Sequence, residues 1–220
     1  MQRPFQAVTF DVGGTLIAPW PSVGHIYAGV AAGHGWLGLD PSVLNRRFGS
    51  AWKNLKDFNH TRAQWAALVE DTFDGLIPAS VSGQFFPELY ERFASPQVWR
   101  VFEDVQPTLK SLKERGTRLG VVSNWDERLR PLLDRLDLLA WFEVIVVSNE
   151  VGAPKPSPRI FEHACQDFDL APASVLHIGD SQEMDVLGAS NAGLQAVLLD
   201  RAGLPGANRI RSLRELVKSD

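Results

Sequence analysis

Apolar positions follow two different rhythms along this chain. At the start, Ala7-Val8-Thr9-Phe10 is a short, nearly continuous apolar run. From Arg118 onward such runs recur: Leu119-Gly120-Val121-Val122, Val144-Ile145-Val146-Val147, Val175-Leu176-His177-Ile178 and Ala196-Val197-Leu198-Leu199. They are β-branched and lack polar alternation, as expected of strands buried on both faces. Between them lie helix-like patterns at about 127–138, 158–168 and 182–192, with another at 107–116 between Pro107 and Gly116. Strand–helix alternation predicts a parallel sheet with helices on both faces.

The stretch from about 18 to 98 reads differently. It lacks strand-like runs, and its apolar residues, such as Trp65, Leu68, Val69 and Phe73, recur at helical spacing. Helices are expected near 22–34, 41–55, 61–76 and 81–94, punctuated by Pro19, Pro21, Pro41, Pro78, Pro87 and Pro96. The expected organisation is an α/β core made of 1–17 and 99–220, with a helical insertion at 18–98 after the first strand.

Polar signals stand where the apolar runs end. Asp11 directly follows the first strand, and Val12-Gly13-Gly14-Thr15-Leu16 turns the chain away. A carboxylate at the C-terminal end of a strand faces the crevice where α/β sheets bind ligands. The two glycines let backbone N–H groups come close to an anion. Later runs end near Ser123-Asn124, near Pro154-Lys155-Pro156, and at Gly179-Asp180 with Asp185 beyond. Together these supply a carboxylate nucleophile, a hydroxyl, a lysine and two metal-binding acids, which is equipment for attack on a phosphoryl group or another electrophile.

Each signal also has a plainer reading. Asp11 and Ser123-Asn124 fit strand-end turns, Lys155 a solvated loop lysine, and Asp180 with Asp185 a helix cap and an exposed acid. It is their order that lifts them together. The histidines His25, His34, His60, His163 and His177 lack ligand-like spacing and read as structural or exposed. Cys165, in a helical pattern, reads as core. Of the tryptophans, Trp20 on the linker into the insertion and Trp125 beside Asn124 are the two that stand near candidate functional positions.

Composition narrows the picture further. In 220 residues, 45% hydrophobic and 22% charged, the chain has room for a substantial core. A net charge of −4 gives no support to a nucleic-acid partner, so an anionic substrate must be met by local charge. The single cysteine precludes an intrachain disulfide, which suits a cytoplasmic location. The start, Met1-Gln2-Arg3-Pro4-Phe5, has too short an apolar stretch behind it for a signal peptide, and no run approaches a membrane span.

The four signals, in this order and spacing, resemble the motifs of the haloacid dehalogenase (HAD) superfamily of hydrolases over nearly the whole chain. Asp11-Val12-Gly13-Gly14-Thr15-Leu16 looks like the first motif, Ser123-Asn124 the second, Lys155 the third, and Gly179-Asp180-Ser181-Gln182-Glu183-Met184-Asp185 the fourth. Val121-Val122-Ser123-Asn124-Trp125-Asp126 and Pro154-Lys155-Pro156-Ser157-Pro158-Arg159-Ile160-Phe161 are similar to the subgroup called haloacid dehalogenase-like hydrolase domain-containing protein 3. The resemblance implies a Rossmann-like parallel-sheet core and a helical cap. It implies a Mg²⁺-dependent phosphatase acting on a small phosphorylated metabolite through an aspartyl-phosphate. Asp11 and Lys155 are then catalytic; Gly14, Thr15, Ser123, Asn124 and Lys155 meet the phosphate; and Asp11, the Gly13 carbonyl, Asp180 and Asp185 serve the metal, Asp185 from behind its waters or Lys155.

One position departs from that pattern. Phosphatases of the family usually carry a second aspartate two residues after the nucleophile, to protonate the leaving oxygen and later activate water. Here that position is Gly13. General acid–base help is worth about 10²–10⁴ in rate, so weak turnover of alkyl phosphates is expected. Two alternatives stay open: a phosphate-binding or regulatory protein disabled by Gly13, and cleavage of a C–P or C–halogen bond. A Schiff base at Lys53 or Lys56 would mark phosphonatase chemistry, although both read as surface charges. Against the metal-free dehalogenase branch stands Gly179-Asp180, the metal-binding form of the fourth motif.

Overall fold

The computed structural model describes residues 5–55, 58, 60–203, 206 and 208–217. Lys56 lies outside them. The chain separates into two compact units, Met1–Ile17 with Val101–Asp220, and Ala18–Arg100.

The first unit is built on a six-stranded sheet. Its strands are β1 (Ala7–Phe10), β4 (Arg118–Ser123), β5 (Val144–Val147), β6 (Val175–Gly179), β7 (Gln195–Leu199) and β8 (Arg209–Ile210). The order is β5-β4-β1-β6-β7-β8, and every neighbouring pair is parallel. Every residue of β1 and β6 is buried, which explains the unbroken apolar runs. Ala7, Val122, Val144, Val146 and Val175 pack with Ile160, Phe161, Ala164, Cys165 and Phe168 of helix α9 (Pro158–Phe168). Those five helix positions recur at i, i+1, i+4, i+5 and i+8, one apolar face of a helix that starts on Pro158 and ends at Asp169 with φ +51°. Cys165 is buried in this face, as its pattern implied. Helix α6 (Val105–Glu114) packs on β4 and the single turn α8 (Ser148–Val151) on β5, while α7 (Leu129–Arg135) reaches β5 through Arg130, which donates to the Ile145 carbonyl at 2.7 Å.

Strand β1 sits at the point where the sheet's order reverses. The chain passes from β1 outward through β4 and β5, then returns to β6 on the other side of β1 and continues outward to β7 and β8. A crevice therefore opens at the carboxyl ends of β1 and β6, the place where open α/β sheets bind ligands. Asp11 ends β1 and Asp180 follows β6.

The 182–192 segment is not one continuous α-helix. Gln182–Leu187 forms a π-helical turn, and a short α-helix, α10 (Gly188–Asn191), follows. Ser181 caps the turn by accepting from the Met184 N–H, and both Asp185 and Val186 donate to the Ser181 carbonyl. The wider turn carries Asp185 into the protein interior, where it is 1% exposed.

The second unit is helical: α1 (Val23–Gly33), α2 (Pro41–Asn54), α3 (Arg62–Phe73), the short α4 (Ala79–Ser82) and α5 (Phe86–Ala94). Its starts carry local caps. The Ser22 side chain accepts from His25 N–H, that of Asp40 from Ser42 N–H before Pro41 at N1, and Thr61 forms a capping box with Gln64. Ile26, Tyr27, Val30, Leu44, Phe73, Phe85 and Leu89 make its core, with Tyr27 stacked on Phe73 at 5.5 Å between centroids. Two strands escaped the sequence pattern here, β2 (Ile17–Pro19) and β3 (Trp99–Val101), which pair as a two-stranded sheet where the chain leaves and rejoins the first unit. Among the described residues, no helix is long and apolar enough to cross a membrane.

Candidate active site

Three acids converge at the carboxyl end of the sheet. Asp11, Asp180 and Asp185 each offer a carboxylate oxygen, and these lie within 4.8 Å of one another. Asp11 and Asp185 are buried, whereas Asp180 is exposed to solvent. Lys155 is 5% exposed and is therefore no solvated loop lysine. Its Nζ donates to Asp11 Oδ1 and to Asp185 Oδ1, each at 2.6 Å. Ser123, at the end of β4, donates its hydroxyl to Asp11 Oδ1 at 3.1 Å. Among the described residues no hydrogen bond joins Asn124 to the acids. Asn124 holds the Lys155 backbone from both sides, accepting from Lys155 N at 2.7 Å and donating to Lys155 O at 3.0 Å.

The loop after β1 is shaped by one glycine. Gly14 has φ +80°, and a Cβ there would run into the Asp180 carboxylate. Its N–H donates to the Ile17 carbonyl at 2.8 Å, so it is spent within the turn and is not held out toward an anion. Gly13 does not have a positive φ. Within 4 Å, a Cβ on Gly13 would meet only Trp125 Cζ3, at 3.5 Å, which is ordinary contact. Thr15 is fully buried with its carbonyl accepting from Arg201 at 2.8 Å, and its Oγ1 has no hydrogen-bond partner. No hydrogen bond to Thr15 joins it to the acids among the described residues.

Asp185 is bound by three protein donors. Oδ1 receives Lys155 and, at 3.1 Å, His177 Nε2, while Oδ2 receives Ser181 N–H at 2.9 Å. His177, fully buried in β6, reaches Thr9 Oγ1 through its other nitrogen at 2.9 Å. Burial holds its pKa low, so the ring is neutral. The tautomer consistent with these contacts carries its proton on Nε2, donating to Asp185 while Nδ1 accepts from Thr9. This buried chain, Thr9–His177–Asp185–Lys155–Asp11, is the part of the site that residue spacing did not reveal. The only signal was a lone polar residue inside an otherwise apolar strand run, Val175-Leu176-His177-Ile178.

The charges explain one another. Burial pushes the Asp11 pKa up, with Lys155 opposing and Asp185 adding to the rise. Burial also works against the Lys155 ammonium, yet Asp11 and Asp185 outweigh it and hold its pKa above the ordinary lysine range. For Asp185, burial is outweighed by Lys155 and His177, which hold it below the usual carboxylate range. Crowding by surrounding protein, then repulsion from Asp11 and Asp185, pushes the outermost acid, Asp180, up to about 7. Three carboxylates against one ammonium leave an excess of two negative charges when all are ionised. An all-oxygen donor set with that charge excess fits a hard divalent cation.

Comparison with known proteins agrees with this geometry. A family model described as haloacid dehalogenase-like hydrolase matches residues 5–193. Haloacid dehalogenase-like hydrolase domain-containing protein 3 of Danio rerio is 34% identical, over 98% of this chain and 96% of its own. Glyceraldehyde 3-phosphate phosphatase of Methanothermobacter thermautotrophicus is 38% identical over 46% of this chain and 45% of its own. Among solved structures, a HAD phosphatase from Thermococcus onnurineus is 28% identical, covers 96% of this chain and 95% of its own, and superposes with a TM-score of 0.69.

Proposed function

The chain belongs to the haloacid dehalogenase-like hydrolase family, and from that premise we propose that it is a Mg²⁺-dependent phosphatase of small phosphorylated metabolites. The observation that carries this is the buried Asp11, set at the topological switch point and bound to both Lys155 and Ser123. Support comes from two phosphatases, that of Methanothermobacter thermautotrophicus, matched over part of its length, and that of Thermococcus onnurineus, matched over nearly all of it.

In this reading Asp11 is the nucleophile. A carboxylate oxygen forms a bond to phosphorus, the P–O bond to the leaving group breaks, and the electron pair departs on that oxygen. Water then attacks the acyl-phosphate and returns Asp11 and inorganic phosphate. Lys155 neutralises charge as the two anions approach, and Ser123, already aimed at Asp11, donates to a phosphoryl oxygen. Asp11, the Gly13 carbonyl and Asp180 would hold the cation directly. It would supply Lewis-acid stabilisation of the phosphoryl charge. Asp185 would act from behind, because its oxygens are occupied by Lys155, His177 and Ser181. Gly13 brings no proton donor, so poor leaving groups depart slowly. The helical unit Ala18–Arg100 would serve as the cap that excludes water.

Asp11→Asn tests the assignment. It keeps the shape and removes the nucleophile, so Mg²⁺-dependent release of phosphate from acetyl phosphate should vanish while the thermal unfolding profile stays cooperative. Retention of most activity would overturn the role of Asp11. Phosphate binding by the wild type with no turnover of any phosphate ester would instead favour the regulatory alternative.

A further inference from the structure

Where a phosphatase of this type would carry its acid, a Cβ on Gly13 would make one ordinary contact beyond its chain neighbours among the described residues, at 3.5 Å to Cζ3 on the benzo ring of Trp125. In the phosphatase reading Gly13 stands where the proton donor to the leaving oxygen would be, so this position would adjoin the departing group. The indole is half-buried, with part of its surface turned to solvent.

Trp125 is also firmly held. Its N–H donates to Ser148 Oγ at 3.1 Å, and its carbonyl accepts from the same hydroxyl at 3.1 Å and from Asn149 N–H at 3.2 Å. The residue before it, Asn124, is locked to Lys155 by two hydrogen bonds. An indole has only two side-chain torsions to restrict when a ligand packs on it, and an aromatic group can meet a ring edge in a T-shaped contact.

We propose that Trp125 is a specificity-determining residue that forms one wall of the leaving-group subsite and selects phosphate monoesters whose leaving group is planar and aromatic. This rests on the phosphatase reading and goes further by naming the substrate class. It is also separate from the missing acid at Gly13. A missing acid favours any stabilised leaving group, whereas an indole wall favours a ring.

The test compares 4-nitrophenyl phosphate with acetyl phosphate. Both leave without a proton donor, and only one carries a ring. In Trp125→Ala the ratio of kcat/KM for the aryl over the acyl substrate should fall about tenfold, the scale of one lost aromatic contact. Trp125→Phe should keep most of the ratio and Trp125→Leu should lose it. The Phe and Leu variants decide the matter should the alanine variant fold poorly. A binding arm uses Asp11→Asn: its affinity for phenyl phosphate relative to inorganic phosphate should fall by a similar factor when Trp125→Leu is added. An unchanged ratio in both arms overturns the role of Trp125 and leaves the phosphatase reading standing. Absence of turnover with both substrates overturns that reading, and the binding arm then decides the role of Trp125 alone.

Discussion

The Lys155 ammonium donates to the Asp11 carboxylate across 2.6 Å, with both side chains buried. The pair has a structural consequence as well as a chemical one. Removing the lysine strands Asp11 and Asp185 in a buried site without their cation. Breaking a buried ion pair in this way typically costs about 3–5 kcal/mol. Lys155→Met keeps the stem and should abolish turnover while lowering the urea midpoint at pH 7. The stability deficit should shrink on acidification, because protonated carboxyls no longer need the ammonium. A midpoint equal to wild type at pH 7 would show that the pair is not holding the site together.

Asp180 and Asp185 should separate in their effects, although they sit five residues apart in one motif. Asp185 is bound by Lys155, His177 and Ser181, whereas Asp180 stands at the solvent side. Asp180→Asn should nearly eliminate Mg²⁺ binding and leave stability almost untouched. Asp185→Asn should cost stability and lower Mg²⁺ affinity by about 10–100-fold. Titration calorimetry with Mg²⁺, together with urea unfolding of each variant, checks this; equal losses in both measurements would contradict it. The Asp180 proton adds a pH signature. With its pKa pushed up to about 7, a proton competes with the cation below that pH. Apparent Mg²⁺ affinity should therefore rise from pH 6 to pH 8, and binding should release protons.

A further buried carboxylate bears on acid stability. Asp104 accepts from Arg201 at 2.9 and 3.0 Å, from Ser212 Oγ at 2.8 Å and from Leu213 N at 2.8 Å. Burial works against its charge, but these donors outweigh burial and hold its pKa below the usual range. A depressed folded-state pKa gives stability that is present above the unfolded value, near 4, and lost as pH falls through the folded value. Asp104→Asn should therefore be less stable than wild type at pH 7, and the gap should close toward pH 2. A gap constant with pH would mean the carboxylate charge contributes nothing.

How much of this was legible from residues alone follows from physical range. The five longer strands are short apolar runs, and β1, β4, β5 and β6 are buried almost throughout; that pattern is local, so Ala7–Phe10 and Val144–Val147 appear where expected. Strands β2 and β3 are three residues each and exist through pairing across about eighty residues of chain, which no local pattern records. The π turn at Gln182–Leu187 is likewise invisible to a 3.6-residue period, yet it turns Asp185 inward. Lys155 and Asp185, which taken singly read as solvated charges, are buried because they neutralise each other. His177 stayed undetected for the same reason. Its significance lies in Asp185, eight residues away, and in Thr9 on the neighbouring strand.

In the proposed mechanism Gly13 limits the chemistry, and the reverse substitution is sterically feasible. A glycine at this point in a turn could hold a backbone conformation that aspartate cannot adopt. The positive φ belongs instead to Gly14, and at Gly13 a Cβ would meet only Trp125, at ordinary contact distance. Gly13→Asp should therefore fold. In the proposed mechanism a carboxyl group at that position would face the departing oxygen and protonate it. Alkyl phosphates, whose alkoxide leaves poorly, should gain up to about 10²–10⁴ in turnover, while acetyl phosphate, which needs no proton, should gain little. The comparison is kcat for glycerol phosphate against acetyl phosphate in wild type and Gly13→Asp, with unfolding profiles to confirm the fold. Wild-type enzyme that hydrolyses both substrates equally fast already has a proton donor elsewhere, and Gly13 would then not be what limits the rate.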